Sequence, residues 1–210
     1  DGNFADPFVW RCNDVYYAVG TGQAEAEGRV GHTVFPLLTS PDLVHWRMLG
    51  EALERPDVSL GDTLGARGRV PDGVFYLFYS VGWGDQDHQL RVATSERPEG
   101  PYHDVAALTQ LELCPFAIDP HPFRDVDGRD YLFFAIDFLY CERGVRPGTA
   151  LVVQEREGMT RLVGKRVTVA RARWEWQRFA KDRPMYGSTY DWHTLEGPAV
   201  VRRDDVYYCM

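Results

Sequence analysis

Asp119 interrupts the apolar run of FAIDPHPFRDVDGRDYLFFAID (residues 116–137), a stretch that otherwise reads as two strands joined by an Asp-Gly turn. Burying an unpaired carboxylate in a packed strand is costly, and its pKa moves to compensate. Either that strand end opens to water or the carboxylate has a task. Two further acids share its setting: Asp6 lies 11 residues before Tyr17, Asp119 lies 12 before Tyr131, and Glu196 lies 12 before Tyr208. Carboxylates gathered in one pocket do general acid–base work. One deprotonates a water, while another, held protonated by its neighbours, gives its proton to a leaving oxygen.

The elements that must position these acids are short strands. Strong helical periodicity is nearly absent, and what recurs is a strand pair with a turn between: DPFVWRCNDVYYAVGT from Asp6, VPDGVFYLFYSVG from Val70, DPHPFRDVDGRDYLFFAID from Asp119 and EGPAVVRRDDVYYCM from Glu196. Aligning Tyr17, Tyr76, Tyr131 and Tyr208 puts Asn-Asp, Asp-Gly, Asp-Gly and Asp-Asp at the turns, dipeptides suited to tight hairpins. Outer strands follow, as in TVFPLLTS with LVHW after it and in HQLRVATS. Such spacing predicts an all-β fold, a β-propeller, in which the strand starts converge on one mouth of a central channel. Asp6, Asp119 and Glu196 would then begin the first strands of three blades and face one another. The plainer alternative is that Asp6-Pro7 and Asp119-Pro120 are turn initiators.

Composition narrows the function classes. With 23 Lys and Arg against 31 Asp and Glu, the formal net charge is −8 and the cations form no tract, so nucleic acid is a poor partner. No apolar run approaches the roughly 18 residues that span a bilayer, so no membrane partner is expected, and residues 1–30 lack the pattern of a signal peptide. Compartment is left open. Cys12, Cys114, Cys141 and Cys209 are far apart in sequence and are expected to be buried or free thiols. The calcium-loop pattern of DVDGRD fails because Ile136, not Glu, stands at the twelfth position, which leaves a turn. There is no Gly-x-Ser-x-Gly elbow, phosphate loop or His-Glu-x-x-His motif, which disfavours serine hydrolases, nucleotide enzymes and zinc proteases.

ADPFV (5–9), AIDPHPFRDVDG (117–128) and DWHTLEGP (191–198) together resemble the three acid-bearing motifs of glycoside hydrolase family 43. SPDLVHW (40–46) and GPY (100–102) support the match. The resemblance implies a five-bladed β-propeller that removes L-arabinofuranosyl or D-xylosyl units from plant cell wall polysaccharides with inversion. Asp6 then matches the general base and Glu196 the general acid. Asp119 matches a third carboxylate that positions the acid and raises its pKa. Residues 1–210 are expected to be one propeller catalytic domain, truncated at its C-terminus after about three and a half blades, with the activity of this fragment by itself left open. The partner implied is an arabinose- or xylose-containing saccharide. No cofactor is required for the chemistry. A structural metal ion in the channel is a family feature whose histidine lies in a later blade, so no ligand is assigned here.

One segment departs from the family pattern. LGARGRVP (64–71) stands where the second unit's first strand belongs, and its two glycines and two arginines suit a central strand poorly. Codons permitted there, read one base later, spell the family's Trp-Ala-Pro stretch, which points to a pair of compensating frameshifts. Trp83 and His88, in a Gly-rich loop, and His32 are further candidates: Trp83 and His32 as substrate-binding residues, each with ordinary packing or surface exposure as the plainer reading. RWEWQRF (173–179) reads as outer strand and loop, with Trp174 and Trp176 on one strand face. Two rival readings stand beside the hydrolase: a catalytically inactive carbohydrate-binding propeller, and another five-bladed glycosidase family.

Overall fold

A computed structural model describes residues 4–22, 35–53, 62–69, 73–142 and 144–210, with the backbone alone for 62–69, 83 and 86. The chain is all-β: its described residues form sixteen strands and one short 3-10 turn. Contacts divide it into two compact units, Asp1–Pro115 and Phe116–Met210.

In the first unit, β1 (Ala5–Cys12), β2 (Val15–Thr21), β3 (Pro36–Ser40) and β4 (Arg47–Glu51) pair in chain order as an antiparallel meander. A second meander follows with β5 (Asp62–Arg69), β6 (Phe75–Trp83), β7 (Gln86–Ser95) and β8 (His103–Ala107). The β1–β2 turn is the two-residue Asn13-Asp14, with φ of 47° and 62°, the left-handed pair that such a turn demands. Val19, Phe35 and Leu37 of the first sheet pack with Leu77, Tyr79 and Val81 of the second in one core. Each large apolar side chain so buried contributes about 1.5–3 kcal/mol.

The second unit repeats the meander with β9 (Ala117–Arg124), β10 (Asp130–Phe138), β11 (Gly148–Glu157) and β12 (Arg161–Ala170). A hairpin, β13 (Arg178–Met185) and β14 (Ser188–Thr194), joins the same edge of β11 that β12 uses. Strand β12 takes Leu151–Glu157, whereas β14 runs parallel to Gly148 and Thr149 at the start of the same strand. A last hairpin, β15 (Val200–Arg203) and β16 (Val206–Cys209), turns through Asp204-Asp205 at φ 50° and 63°.

Five expectations need correction. LVHW is not a strand: residues 41–46 form a turn in which Asp42 accepts from the amides of Val44 and His45, and β4 starts at Arg47. Trp83 and His88 belong to the β6–β7 hairpin, not to a loop, because Trp83 pairs with Gln86 across a two-residue turn. Trp174 and Trp176 share no strand face; they flank and occupy the 3-10 turn Glu175–Gln177 and both are exposed. The third aligned turn is a five-residue loop, Asp125–Arg129, in which Gly128 N–H donates to Asp125 O at 3.0 Å. Residues 62–69, poor as their composition is, do form the first strand of their sheet, paired with β6 alone among the described strands. The four cysteines are free, as expected, with Cys114 buried and Cys141 and Cys209 exposed.

Candidate active site

The repeat seen in sequence has a backbone counterpart. In β1, Asp6 and Pro7 oppose the single Gly20 between the pairs Ala5–Thr21 and Phe8–Val19. In β9, Asp119 and Pro120 oppose Phe134 between Ile118–Ala135 and His121–Phe133. Each is a β-bulge, a device that re-aims a side chain. Both aspartates are left-handed, with φ of 47° and 56°, a costly state for a non-glycine residue that precedes proline. Strain of this kind persists where surrounding structure enforces it, commonly at functional sites.

Register also corrects the expected equivalence of the three acids. Asp6 and Asp119 each stand four residues before the partner of the aligned tyrosine, Trp10 opposite Tyr17 and Phe123 opposite Tyr131. In the last hairpin Val201 opposes Tyr208, so the residue at that point is Gly197, with φ of 61° and Pro198 after it. Glu196 lies one residue earlier, in the segment between β14 and β15. Counting residues matched it to Asp119 because the third unit's turn is three residues longer than the fourth's while its ladder has one pair, two residues, fewer, a net shift of one.

Within the second unit, Asp119 and Glu196 are neighbours. The Gly197 amide donates to Asp119 Oδ2 at 2.8 Å, so the carboxylate holds the backbone that carries Glu196. His121 grips the same segment further on, its Nε2 lying 3.1 Å from the Val200 amide nitrogen and 3.3 Å from the Val200 carbonyl oxygen. From the other side, Leu195 N–H donates to Thr149 O at 3.0 Å, extending the parallel pairing of Thr149 with Thr194. This close run of β14 against β11 depends on Gly148, at φ 139°, where any Cβ would collide with the backbone oxygen of His193.

These contacts set the chemistry of Glu196. Its carboxyl is pushed up from 4.5 to about 7, by burial first and by the negative charge of Asp119 second; a hydrogen bond from Thr149 opposes the rise, Asp137 adds to it and Arg183 opposes it. The resemblance implied Asp119 as the cause; crowding by protein atoms is the larger one. Glu196 as a whole residue is exposed, so this crowding acts on the carboxyl end and solvent still screens the charges around it.

Asp137 is an acid that sequence reading passed over. It ends the second strand of the FAIDPHPFRDVDGRDYLFFAID stretch and is paired with Thr149 across β10 and β11. Its Oδ1 accepts from Thr149 Oγ1 at 2.9 Å and its Oδ2 from the Tyr186 hydroxyl at 2.6 Å. Tyr186 is itself left-handed, φ 51°, in the two-residue β13–β14 turn before Gly187. The one signal in sequence was a second Asp closing an apolar strand, the feature that drew attention to Asp119.

Of the other candidates, Asp6 is exposed on β1 of the first unit. The side chain of Trp83 and all of His32 lie outside the described residues. His88 is fully buried, with Nε2 2.6 Å from Gly84 O, and packs against Gly82, where a Cβ would come within 2.6 Å of its ring. That is a packing histidine. Among the described residues no group of three or more His, Cys, Asp and Glu side chains is placed to hold a metal ion. No helix among them is long and apolar enough to cross a membrane.

A family model for glycosyl hydrolases family 43 matches residues 1–210. The chain is 25% identical over 224 residues to a β-D-galactofuranosidase of Aspergillus niger, an alignment that spans 100% of this chain and 56% of that protein. It is 30% identical over 134 residues to a non-reducing-end α-L-arabinofuranosidase of Bacteroides ovatus, spanning 60% of this chain and 23% of that protein. Its alignments thus span about half or less of the length of these curated relatives. The crystal structure of a thermostable family-43 glycoside hydrolase superposes with a TM-score of 0.74 at 23% identity, over 100% of this chain and 63% of that one, a likeness of fold. Matched along its whole length by the family model, the chain belongs to glycosyl hydrolase family 43.

Proposed function

We propose that this chain is the catalytic part of an inverting glycoside hydrolase that cleaves α-L-arabinofuranosyl or β-D-xylosyl linkages in plant cell wall polysaccharides or oligosaccharides derived from them. Its meanders are blades of a five-bladed propeller, about three and a half of which this chain carries. Glu196 is the general acid, Asp119 holds and helps to protonate it, and Asp6 is the base that deprotonates the attacking water. The observation that carries the reading is a glutamate pushed up to about 7, with Asp119 bonded to the very next amide. A carboxyl of that pKa keeps its proton near neutrality and delivers it to a departing sugar oxygen. Asp6 enters on its bulge and left-handed backbone, which match those of Asp119. Inversion requires the acid and base carboxyls to stand about 6.5–9.5 Å apart, with the water between base and sugar.

The substrate class follows from the relatives by analogy, and two of them are named for furanosides. The full chain, assayed on aryl α-L-arabinofuranoside, β-D-xyloside and β-D-galactofuranoside with the product anomer followed by NMR, is expected to release an arabinose or xylose of inverted configuration. A retained configuration would exclude the mechanism, and turnover of the galactofuranoside alone would replace the substrate assignment.

A further inference from the structure

RWEWQRF (173–179) takes no part in the acid–base site, yet Trp174, Trp176 and Phe179 keep 62%, 80% and 66% of their surface in water. Large apolar side chains scattered singly over a surface are ordinary, whereas a cluster of them marks a place where something binds. These rings are also held in place. The Gln177 side chain accepts from the amides of Arg173 and Trp174, both at 2.9 Å, and Gln177 N–H donates to Trp174 O at 3.0 Å. Arg178 ties the turn down, with Nη1 2.6 Å from Glu175 Oε1 and 3.5 Å from Asp191 Oδ2. The Arg183 guanidinium lies over the Phe179 ring, 5.0 Å from its centroid. A turn fixed in this way presents its indoles with little freedom left to lose on binding.

The place of the turn in the sheet points to its occupant. Arg178, which follows the turn, pairs with His193 across β13 and β14, and Glu175 Oε2 lies 3.8 Å from His193 Nε2. His193 precedes Glu196 by three residues, at most about 11 Å of extended chain. The aromatic turn thus stands beside the strand that leads into the acid. A general acid protonates the oxygen of the leaving group, so the surface beside it meets that group, which in a polysaccharide is the rest of the glycan. Sugar rings with equatorial substituents, as in a chain of β-xylopyranose, expose flat faces of C–H bonds that lie well on an aromatic plane. Tryptophan offers a large rigid plane with only two side-chain torsions to fix. Nucleic acid, whose bases also stack on aromatic rings, is disfavoured by the net charge of −8.

We propose that the turn bearing Trp174 and Trp176, with Phe179 after it, is a stacking platform for a xylopyranose main chain, held there while Glu196 acts on the linkage to a branch sugar. This rests on the reading of Glu196 as the general acid.

The test is binding and turnover by the full chain. Retardation in gels containing arabinoxylan measures affinity without catalysis. Trp174→Ala/Trp176→Ala is expected to weaken that affinity about tenfold or more, the range for truncating an aromatic anchor. It should also raise KM on arabinoxylan oligosaccharides while kcat holds. On aryl α-L-arabinofuranoside, whose leaving group is too small to span the platform, kcat/KM should be unchanged. Trp174→Tyr/Trp176→Tyr should keep most of the binding. A wild-type chain that arabinoxylan does not retard, or an alanine pair that it retards equally, would overturn the proposal. So would an equal loss on the aryl glycoside, which would mark damage to the fold or to the acid. A wild-type dimer in sedimentation velocity that the alanine pair dissolves would give the surface to a second copy of the chain instead. Failure of the underlying reading looks different: Glu196→Gln would then turn over substrate normally, with both tryptophans in place and arabinoxylan still retarding the chain.

Discussion

Replacing Asp119 by Asn separates its charge from its grip on the backbone. The amide oxygen of Asn still accepts the Gly197 N–H bond, 2.8 Å in the native chain, while the negative charge disappears. Glu196 is raised from 4.5 to about 7, with burial the largest cause and Asp119 the second. A like charge close by raises a carboxyl by about one pH unit at the low end of its range, and that figure is taken for Asp119. On that figure the protonated fraction of Glu196 at pH 7 drops from about one half to about one tenth, a roughly fivefold loss of competent molecules, while at pH 5 it drops by only about a tenth. The assay is the pH profile of kcat/KM, whose alkaline limb reports the essential acid of the free enzyme. That limb should move down by about one pH unit in Asp119→Asn, with the variant recovering most of this loss at pH 5. A limb that stays in place, or a loss equal at every pH, would refute an electrostatic role and leave Asp119 a tether alone.

Asp6→Asn and Glu196→Gln should each cut kcat by at least about a hundredfold, the lower range for removing an acid or base; near-normal turnover of aryl glycosides by either variant would remove that residue from the mechanism. Glu196→Gln should also change stability with a definite sign. Because the folded pKa of about 7 lies above the ordinary 4.5, the unfolded chain ionises first and wild-type stability falls as pH rises between these values. Calorimetry should therefore find the Gln variant gaining on the wild type up to pH 7 and holding that gain above it, and a gain confined to acid pH would contradict the raised pKa. Gly148→Ala should destabilise by about 3 kcal/mol or more, since its Cβ meets the His193 backbone in a left-handed position. Denaturant unfolding checks this, and a native-like midpoint would show that β14 need not run so close to β11.

Much of this was legible in the residues. Alternating short strands, the Asn13-Asp14 and Asp204-Asp205 turns and the absence of helical periodicity announce an all-β chain, because strand period and left-handed turn residues are local properties. The acids Asp119 and Glu196 were found by the anomaly of a charge at an apolar strand end. The limits of that reading are equally physical. Counting residues aligned Glu196 with Asp119, but a five-residue loop between β9 and β10 shifted the count and put Gly197 at the equivalent place. The β6–β7 hairpin looked like a loop because Gly82 serves a close approach of His88 instead of a turn.

By itself, then, the chain's order of residue types determined the class of fold, the repeat, and which acids to suspect. Only tertiary structure decided what those acids experience. The pKa of Glu196 depends on burial and on charges from β9, β10 and β13, groups up to 77 positions away in sequence, and Asp137 and Tyr186 join the site through contacts that no local pattern encodes. Turn and strand preferences act over a few residues, whereas desolvation and Coulomb interactions act over a few ångströms, and folding alone sets which residues those are.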